Sequence, residues 1–253
     1  MKTHDLSVGI HYVTQLYRPK DASSYMRLVE GLKSNLLIPE LVAATVFLDG
    51  CAPPFDNRLV KWVPSRGRAS FADFLRIANT CGSGLEGDNA GSHLLFANTD
   101  IVFNASIERL MLALTEPSWA ACITRHELDG SFPEGIEPLQ SQDAWMLMRQ
   151  PLSKRLINQM EAVQLGVAGC EHLLAAALVA YGFELWNPCE DCFALHTDPD
   201  PQVYGVGGDR YWGLYAYVPS CKIDDIGQND PQIIFSYARS PGCYYFMSTR
   251  QSS

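Results

Sequence analysis

The first half of the chain alternates short apolar runs with helix-like patterns. Runs rich in apolar and β-branched residues predict strands at positions 6–15, 41–48, 59–63 and 93–97. Between them, apolar residues recur every three or four positions and predict helices at 25–36 and 70–81. Strands that alternate with helices in this way are typical of a largely parallel sheet with helices packed on its faces.

The second half continues this pattern less regularly. Apolar runs predict strands at 119–124, 143–148 and 183–186, and helices at 107–115, with Ser106 as N-cap, and at 170–181. The stretch 125–141 is polar, is interrupted by proline and glycine, and is predicted as a loop that carries function. Beyond His196 the periodicity fades, so the end of the chain is predicted as an irregular cover with short strands.

Together these elements predict an α/β fold with a Rossmann-like, mixed and mostly parallel sheet and helices on both faces. The chain has 253 residues, of which 47% are hydrophobic and 19% charged, enough for one large domain with a buried core. No repeat and no shift in composition marks a linker. We therefore expect a single domain that covers residues 1–253.

The charge of the chain narrows its range of partners. A formal net charge of -9, without any run of lysine or arginine, argues against a protein that binds nucleic acid through its phosphates. A phosphate ligand therefore needs local arginines or a metal ion. No apolar run approaches the roughly 20 residues that span a bilayer, and the first ten residues lack the apolar core of a signal peptide. These features predict a cytoplasmic protein without a transmembrane segment.

One apolar run, HLLFANTDIVF at residues 93–103, carries a carboxylate where its strand ends. Ligands of open α/β sheets bind outside the carboxyl ends of the strands, so the position of Asp100 suits a ligand site. One carboxylate together with a diphosphate is a common way to hold Mg²⁺ or Mn²⁺, because these cations prefer oxygen ligands. The alternative is a turn in which Asn98, Thr99 and Asp100 bond to nearby backbone groups.

Eight scattered cysteines are predicted to be mostly reduced, because a domain of this size needs no disulfides for stability. Cys189 and Cys192 differ from the others in forming a C-x-x-C pair with His196 close behind. This group has the reach to wrap a tetrahedral zinc ion, although a second close pair is missing.

Seven segments of the chain, taken in order, resemble a family of bacterial and viral glycosyltransferases of the GT-A type. They are RLVEGLKSNL, RGRASFADFL, FANTDIVF, TRHE, SQDAWMLM, GVAGCEHLLAAALVAYGFELWNP and ALHTDP, and the resemblance extends from Ser7 to about Asp198. It implies a GT-A-like fold in which residues 1–104 bind a nucleotide-sugar donor, 105–198 form the acceptor and catalytic half, and 199–253 cover the C-terminal side. The implied reaction transfers a sugar from that donor to a saccharide or glycan acceptor.

The resemblance also implies a divalent ion, Mn²⁺ or Mg²⁺, that holds the donor diphosphate. Asp100 matches the metal anchor of this family, and His196 matches a second ligand from the C-terminal part. A capping or packed histidine before a Thr-Asp-Pro turn is the simpler interpretation of His196 without the resemblance. Asn98 and Thr99, which precede the anchor, are placed with the donor-binding residues.

Two carboxylates qualify as the base that removes the proton of the acceptor hydroxyl. Glu171 matches the Asp of the family's GCDN motif at the start of a helix, where the helix N-terminus favours the charged form. This chain departs from the motif with Glu for Asp and His172 for Asn. Asp143, in SQDAW, is the second candidate; it alternatively binds a donor-sugar hydroxyl or is a turn residue before its strand.

Donor recognition is assigned to the end of the first strand and to one loop arginine. Tyr17 is predicted to stack on the nucleotide base, and Arg18 to contact phosphate or base. Arg68 matches an arginine that precedes a helix in the related enzymes, whereas most loop arginines are simply solvated. The segment GVGGDR at 205–210 is predicted as a glycine turn or as a flap over the donor.

Other functions remain open at this level. A metal-dependent sugar-nucleotide nucleotidyltransferase shares the architecture but attacks a phosphate, and it should have a glycine- and lysine- or arginine-rich loop after the first strand. Residues 15–20 of this chain contain no glycine. The other possibilities are a non-catalytic sugar-binding module and a scaffold in which Cys189, Cys192 and His196 bind zinc.

Overall fold

The computed structural model describes residues 8–19, 21–79, 92–135, 137–197, 210–238 and 244–248. Its strands are β1 (Ile10–Tyr17), β2 (Leu41–Asp49), β3 (Val60–Ser65), β4 (His93–Ala97), β5 (Ile101–Phe103), β6 (Trp119–His126), β7 (Gln142–Met148), β8 (Glu184–Trp186), β9 (Ala194–His196), β10 (Gly213–Tyr217), β11 (Ile234–Ala238) and β12 (Tyr244–Ser248). Its helices are α1 (Ala22–Asn35), α2 (Phe71–Ala78), α3 (Ser106–Ala113), α4 (Lys154–Gln159) and α5 (Cys170–Ala180).

Nine strands form the main sheet, in the order β3-β2-β1-β4-β7-β6-β9-β5, with β8 also paired to β6. The pairings among β1, β2, β3 and β4 are parallel, as are those of β6 with β8 and β9. Strand β7 runs antiparallel between β4 and β6. The amino end of β7 therefore lies beside the carboxyl ends of β4 and β6, at one edge of the sheet.

Apolar side chains fill two layers, one on each face of this sheet. Tyr12 and Leu16 of β1 belong to the layer beneath α1 and α3, whereas Val13 belongs to the layer beneath α2, α4 and α5. This alternation follows from the two-residue period of a strand. The predicted α/β class, with a mostly parallel Rossmann-like sheet and helices on both faces, is confirmed.

The edge strand β5 is held by a buried side chain of α1. The Asn35 amide donates to the Ile101 carbonyl at 2.8 Å, and its oxygen accepts from the Phe103 backbone N–H at 2.9 Å. On its other side β5 pairs with β9, with Ile101 opposite His196. Asn35 and β9 thus fix the strand that follows Asp100 from both sides.

The C-terminal region forms a second sheet. Strands β10, β11 and β12 pair antiparallel within the stretch that the sequence predicts as an irregular cover. Gly213, at the start of β10, approaches α5 so closely that an added Cβ would lie 3.2 Å from the Leu173 side chain. The second sheet therefore packs against the helix that begins at Cys170.

Some predicted elements differ from the structure. Ser106 is not the N-cap of α3 but its first residue; its hydroxyl donates to Asn104 Oδ1 and accepts from the backbone N–H of Phe193. Strand β6 continues to His126, into the stretch predicted as a loop. The residues between the predicted helix 70–81 and the predicted strand 93–97, apart from Ser92, and the segment 205–210, apart from Arg210, lie outside the described residues.

No helix within the described residues combines the length and the apolar character that a membrane span requires.

Candidate active site

A cleft of about 1200 Å³, open solvent included, lies at the edge where these strand ends meet. Eight of the residues singled out from the sequence line it: Tyr17, Arg68, Asn98, Thr99, Asp100, Asp143, Glu171 and His196. Arg18 is exposed and is not among the residues that line the cleft. The fold thus brings side chains from distant parts of the sequence to one place, which is the site that parallel sheets offer to ligands.

Asp100 and His196 form a pair at the floor of the cleft. Asp100 lies in the turn between β4 and β5, and His196 ends β9. Their side chains approach to 3.3 Å between His196 Nε2 and Asp100 Oδ2. The Asp100 carbonyl accepts hydrogen bonds from Thr197, from its backbone N–H at 2.8 Å and from its hydroxyl at 3.0 Å. Both residues of the pair therefore have a fixed backbone.

The polar atoms of this pair fit a divalent cation. Asp100 Oδ1 is buried and has no hydrogen-bond partner among the described residues. Leaving such an oxygen unpaired is costly, and a cation would satisfy it. Burial lowers the pKa of His196, but the hydrogen bond and the charge of Asp100 outweigh burial and raise that pKa above its ordinary value. A carboxylate oxygen and an imidazole nitrogen are ligands that Mn²⁺ accepts.

Two side chains leave most of the coordination shell of such an ion to other ligands. Among the described residues no three His, Cys, Asp or Glu side chains converge on one point. The hydrated divalent ions of phosphate-transferring enzymes commonly take their remaining ligands from substrate phosphate and water. The arrangement is thus suited to an ion that arrives with a phosphorylated ligand.

The same observation counts against the zinc scaffold. Cys189, Cys192 and His196 are all described, yet they do not form a group that could hold a metal ion. Both cysteines are buried, and burial raises the pKa of Cys189 to about 11 and that of Cys192 to about 12.

Asp143 lies at the start of β7 and is held by two neighbours. Its Oδ2 accepts a hydrogen bond from the Ser141 hydroxyl at 3.0 Å and lies 3.7 Å from Arg125 Nε. Burial raises the pKa of Asp143; the positive charge of Arg125 opposes this effect, and the negative charge of Asp100 adds to it. The carboxylate is therefore held in position, close enough to Asp100 for the two negative charges to interact.

Glu171 lies in the first turn of α5, which begins after Gly169 with a φ of +84°. Its Oε2 accepts from the Cys170 thiol at 3.3 Å. Burial, together with the charge of Asp143, raises the pKa of Glu171 to about 7. Loss of solvation therefore opposes the preference for the charged form that is expected at a helix N-terminus. A carboxyl group with a pKa near 7 is well matched to proton transfer at neutral pH.

His172, which replaces the Asn of the motif, has a structural position. Its ring packs against Tyr215 and Tyr217, with centroid distances of 5.4 and 4.4 Å. Burial lowers the pKa of His172 to about 4, so the ring is neutral at physiological pH. It connects α5 to the second sheet.

The donor-side residues differ in how their side chains are used. Tyr17 ends β1 beside Asp49 and is 40% exposed, so its ring is accessible from the cleft. The Thr99 hydroxyl is buried and donates a hydrogen bond to the Gln15 carbonyl, so this hydroxyl is engaged with the backbone of β1. The backbone N–H of Asn98 donates to the Asp143 carbonyl at 3.4 Å. Asn98 and Thr99 therefore shape the turn that carries Asp100.

Four further polar residues line the cleft without having been singled out: Gln15, Asp49, Arg125 and Gln142. Gln142 is 1% exposed, and neither its amide nitrogen nor its amide oxygen has a hydrogen-bond partner among the described residues. Arg125 was not predicted as a site residue because the strand was predicted to end at Thr124, whereas β6 continues to His126. For Arg125 and Gln142 the available signal was their place in the segments TRHE and SQDAW.

No family model and no curated protein matches the chain. Among solved structures, the mannosyltransferase PcManGT from Pyrobaculum calidifontis, in complex with GDP-Man and Mn²⁺, matches with a TM-score of 0.48 at 13% identity. This match covers 79% of the present chain, which spans 62% of the length of that mannosyltransferase.

Two other solved structures illustrate the range of matches. A glycosyltransferase involved in glycosylation of the major capsid of PBCV-1 has a TM-score of 0.42 at 11% identity, with 76% of this chain and 94% of that one covered. The 4-diphosphocytidyl-2C-methyl-D-erythritol synthase of Anaerococcus prevotii has a TM-score of 0.41 at 11% identity, with 67% and 82% covered. Likenesses at this level assign no reaction to the chain.

Proposed function

We propose that this chain is a metal-dependent glycosyltransferase, which transfers a sugar from a nucleotide-sugar donor to a hydroxyl group of a saccharide or glycan acceptor. The observation that carries the proposal is the composition of the cleft. It combines a carboxylate–imidazole pair that fits a divalent ion with two further buried carboxylates, one of which has a pKa of about 7.

Asp100 and His196 would hold Mn²⁺ or Mg²⁺ together with the donor diphosphate. When bound, the ion offsets the negative charge that develops on the leaving diphosphate as the glycosyl–phosphate bond breaks. Arg68, exposed at the rim, contributes positive charge for the same phosphates. Tyr17 supports the nucleotide base by stacking, and Arg18 lies next to it in sequence.

Glu171 is the preferred base. At neutral pH about half of its carboxyl groups are ionised, because the pKa is about 7. The ionised form accepts the proton of the acceptor hydroxyl as that oxygen attacks the anomeric carbon. Asp143, fixed by Ser141 and Arg125, binds a hydroxyl of the donor sugar and is the alternative base.

The first test is a thermal-shift panel of nucleoside diphosphates and nucleotide sugars, with and without Mn²⁺. A ligand that binds only the folded protein raises its melting temperature, so we expect one nucleotide class to do so in the presence of Mn²⁺. Absence of any Mn²⁺-dependent shift across the panel contradicts the proposal.

Replacement of the metal anchor is the matching prediction. Asp100→Ala should abolish the Mn²⁺-dependent shift and the metal-dependent hydrolysis of the donor, while the ligand-free protein still folds. Asp230→Ala, at an exposed position, serves as the control and should retain both. If Asp100→Ala hydrolyses the donor as the parent protein does, the role of Asp100 as metal anchor is contradicted.

A nucleotidyltransferase is separated by its product. Glycosyl transfer releases a nucleoside diphosphate, whereas nucleotidyl transfer to a sugar phosphate releases pyrophosphate. Between β1 and α1 the chain has only the four residues Arg-Pro-Lys-Asp, without the glycines expected of a loop that wraps a triphosphate. We therefore expect nucleoside diphosphate as the product.

A further inference from the structure

The side chain of Gln15 forms hydrogen bonds with the backbone on both sides of Arg68. Its amide nitrogen donates to the Gly67 carbonyl at 2.9 Å, and its amide oxygen accepts from the Ala69 backbone N–H at 2.8 Å. Gln15 is 7% exposed, so these hydrogen bonds are largely shielded from water. One side chain thus fixes the two peptide groups that flank an exposed arginine.

The loop that carries Arg68 is anchored on its other side as well. The Leu165 N–H donates to the Ala69 carbonyl at 3.1 Å, and the Phe71 N–H donates to the Val163 carbonyl at 2.9 Å. Gly67 has a φ of +113°, a conformation that other residues rarely adopt. The arginine backbone therefore has a single defined place at the rim, while its side chain lies beside Gly166.

The backbone of Gln15 contacts the turn that carries Asp100. Its carbonyl accepts the hydroxyl of Thr99, in the turn that ends at Asp100. We expect two cationic groups to hold the diphosphate: the ion on Asp100 and the guanidinium of Arg68. Gln15 of β1 contacts both the backbone that flanks Arg68 and the turn that carries Asp100, so one residue connects the two groups. This matters because the affinity for a diphosphate depends on the distance between the charges that contact it.

We propose that Gln15 is a positioning residue, which places Arg68 against the diphosphate at a fixed distance from the metal-anchor turn. This role rests on the proposed function, since it presumes a diphosphate ligand. Although Gln15 lines the cleft, its amide nitrogen and oxygen are engaged with Gly67 and Ala69, so we assign it no direct contact with the phosphates or the sugar. Its contribution to binding is made through Arg68 and disappears when Arg68 is removed.

The test is a double-mutant cycle on the full chain with Mn²⁺, in which calorimetry measures binding of the nucleoside diphosphate found by the panel and of its parent nucleoside. Gln15→Met should weaken diphosphate binding about tenfold, the effect of losing well-placed hydrogen bonds, and leave nucleoside binding unchanged. Arg68→Ala should weaken it at least as much. The double variant should bind no more weakly than Arg68→Ala alone.

Two further variants protect this result against a folding artefact. Gly67→Ala disturbs the same loop with Gln15 intact, because its Cβ meets no atom within 4 Å and only the backbone conformation is strained. It should weaken diphosphate binding in the parent protein but not in the Arg68→Ala background. Gln150→Met is the matched control, since the Gln150 amide holds the Pro117 carbonyl at the opposite edge of the sheet. It should leave diphosphate binding unchanged.

If the losses of diphosphate affinity multiply in the double variant, the role of Gln15 is overturned. It is also overturned if Gln15→Met weakens nucleoside and diphosphate binding equally. Neither outcome contradicts the proposed function. A parent protein that binds no nucleoside diphosphate with Mn²⁺ overturns this role together with the proposed function.

Discussion

Glu171 illustrates how burial changes the chemistry of one carboxyl group. Its pKa rises from an ordinary 4.5 to about 7 because the charged form loses solvation and faces the negative charge of Asp143. In the folded chain the group therefore keeps its proton to a higher pH than in the unfolded chain. Its contribution to stability is complete below about pH 4.5 and is lost as the pH rises through 7.

Replacing Glu171 by Gln should therefore change stability in a pH-dependent way. Gln resembles the protonated carboxyl group. The difference in unfolding free energy between Glu171→Gln and the parent protein should therefore increase, in favour of the variant, from pH 5 to pH 8, by at most about 3 kcal/mol. Denaturant unfolding without metal or nucleotide measures this gain. Glu184→Gln, at an exposed position, should show the same difference from the parent at both pH values. If Glu171→Gln raises the unfolding free energy equally at pH 5 and pH 8, the raised pKa of Glu171 is contradicted.

The buried side chain of Gln142 also lowers the stability of the folded chain. Its buried amide has no partner among the described residues, and an unsatisfied buried polar group costs about 1–3 kcal/mol. Gln142→Met keeps the length of the side chain without this cost. We expect it to raise the unfolding free energy by about 1 kcal/mol while weakening binding of the nucleotide sugar. Gln159→Met on α4, exposed and not among the cleft residues, should alter neither, and a Gln142→Met variant with unchanged binding shows that the amide serves no ligand.

At the scale of elements, the start of α5 decides where Glu171 lies. Gly169 has a φ of +84°, and a Cβ there would come 2.9 Å from Cζ of Tyr215. Gly169→Ala should therefore combine backbone strain with a clash, destabilise the protein by about 2–4 kcal/mol and reduce the transfer rate.

Gly182, just after the end of α5, provides the matched control. Its φ is +87°, but nothing lies within 4 Å of an added Cβ. Gly182→Ala should thus show only the backbone strain, about 1 kcal/mol in urea unfolding, with the transfer rate retained. Equal losses of stability in the two variants would mean that the contact with Tyr215 does not position α5.

Sequence patterns predicted most of the elements, including the short strand β8, which lies within the predicted strand 183–186. Strands β1, β2 and β4 present apolar runs, and helices α1, α2 and α5 present a helical repeat, that can be recognised locally. Strands β5 and β9 have three residues each, and α4 has six, too few for a period. The pairing of β5 with β9 joins residues more than ninety positions apart, so the approach of His196 to Asp100 came from the family resemblance and not from periodicity.

For the whole molecule, the cleft contrasts with the overall charge. The chain carries a formal charge of -9, yet the proposed ligand is a diphosphate. Arg68, Arg125 and a bound ion would have to supply the local positive charge, as the composition required. Which carboxyl groups are buried at the cleft, and how far their pKa values move, depends on tertiary packing. The sequence therefore indicated the residues of the site but not the state of Glu171.

The contact of Asn35 with β5 has a consequence for the behaviour of the protein at high concentration. An unpaired edge strand offers its backbone groups to strands of other molecules and so promotes aggregation. Here the outward carbonyl of Ile101 and the outward N–H of Phe103 are occupied by an amide from the same chain. At this end of the sheet a side chain occupies the Ile101 carbonyl and the Phe103 N–H, so these two groups are not available to a strand of another molecule.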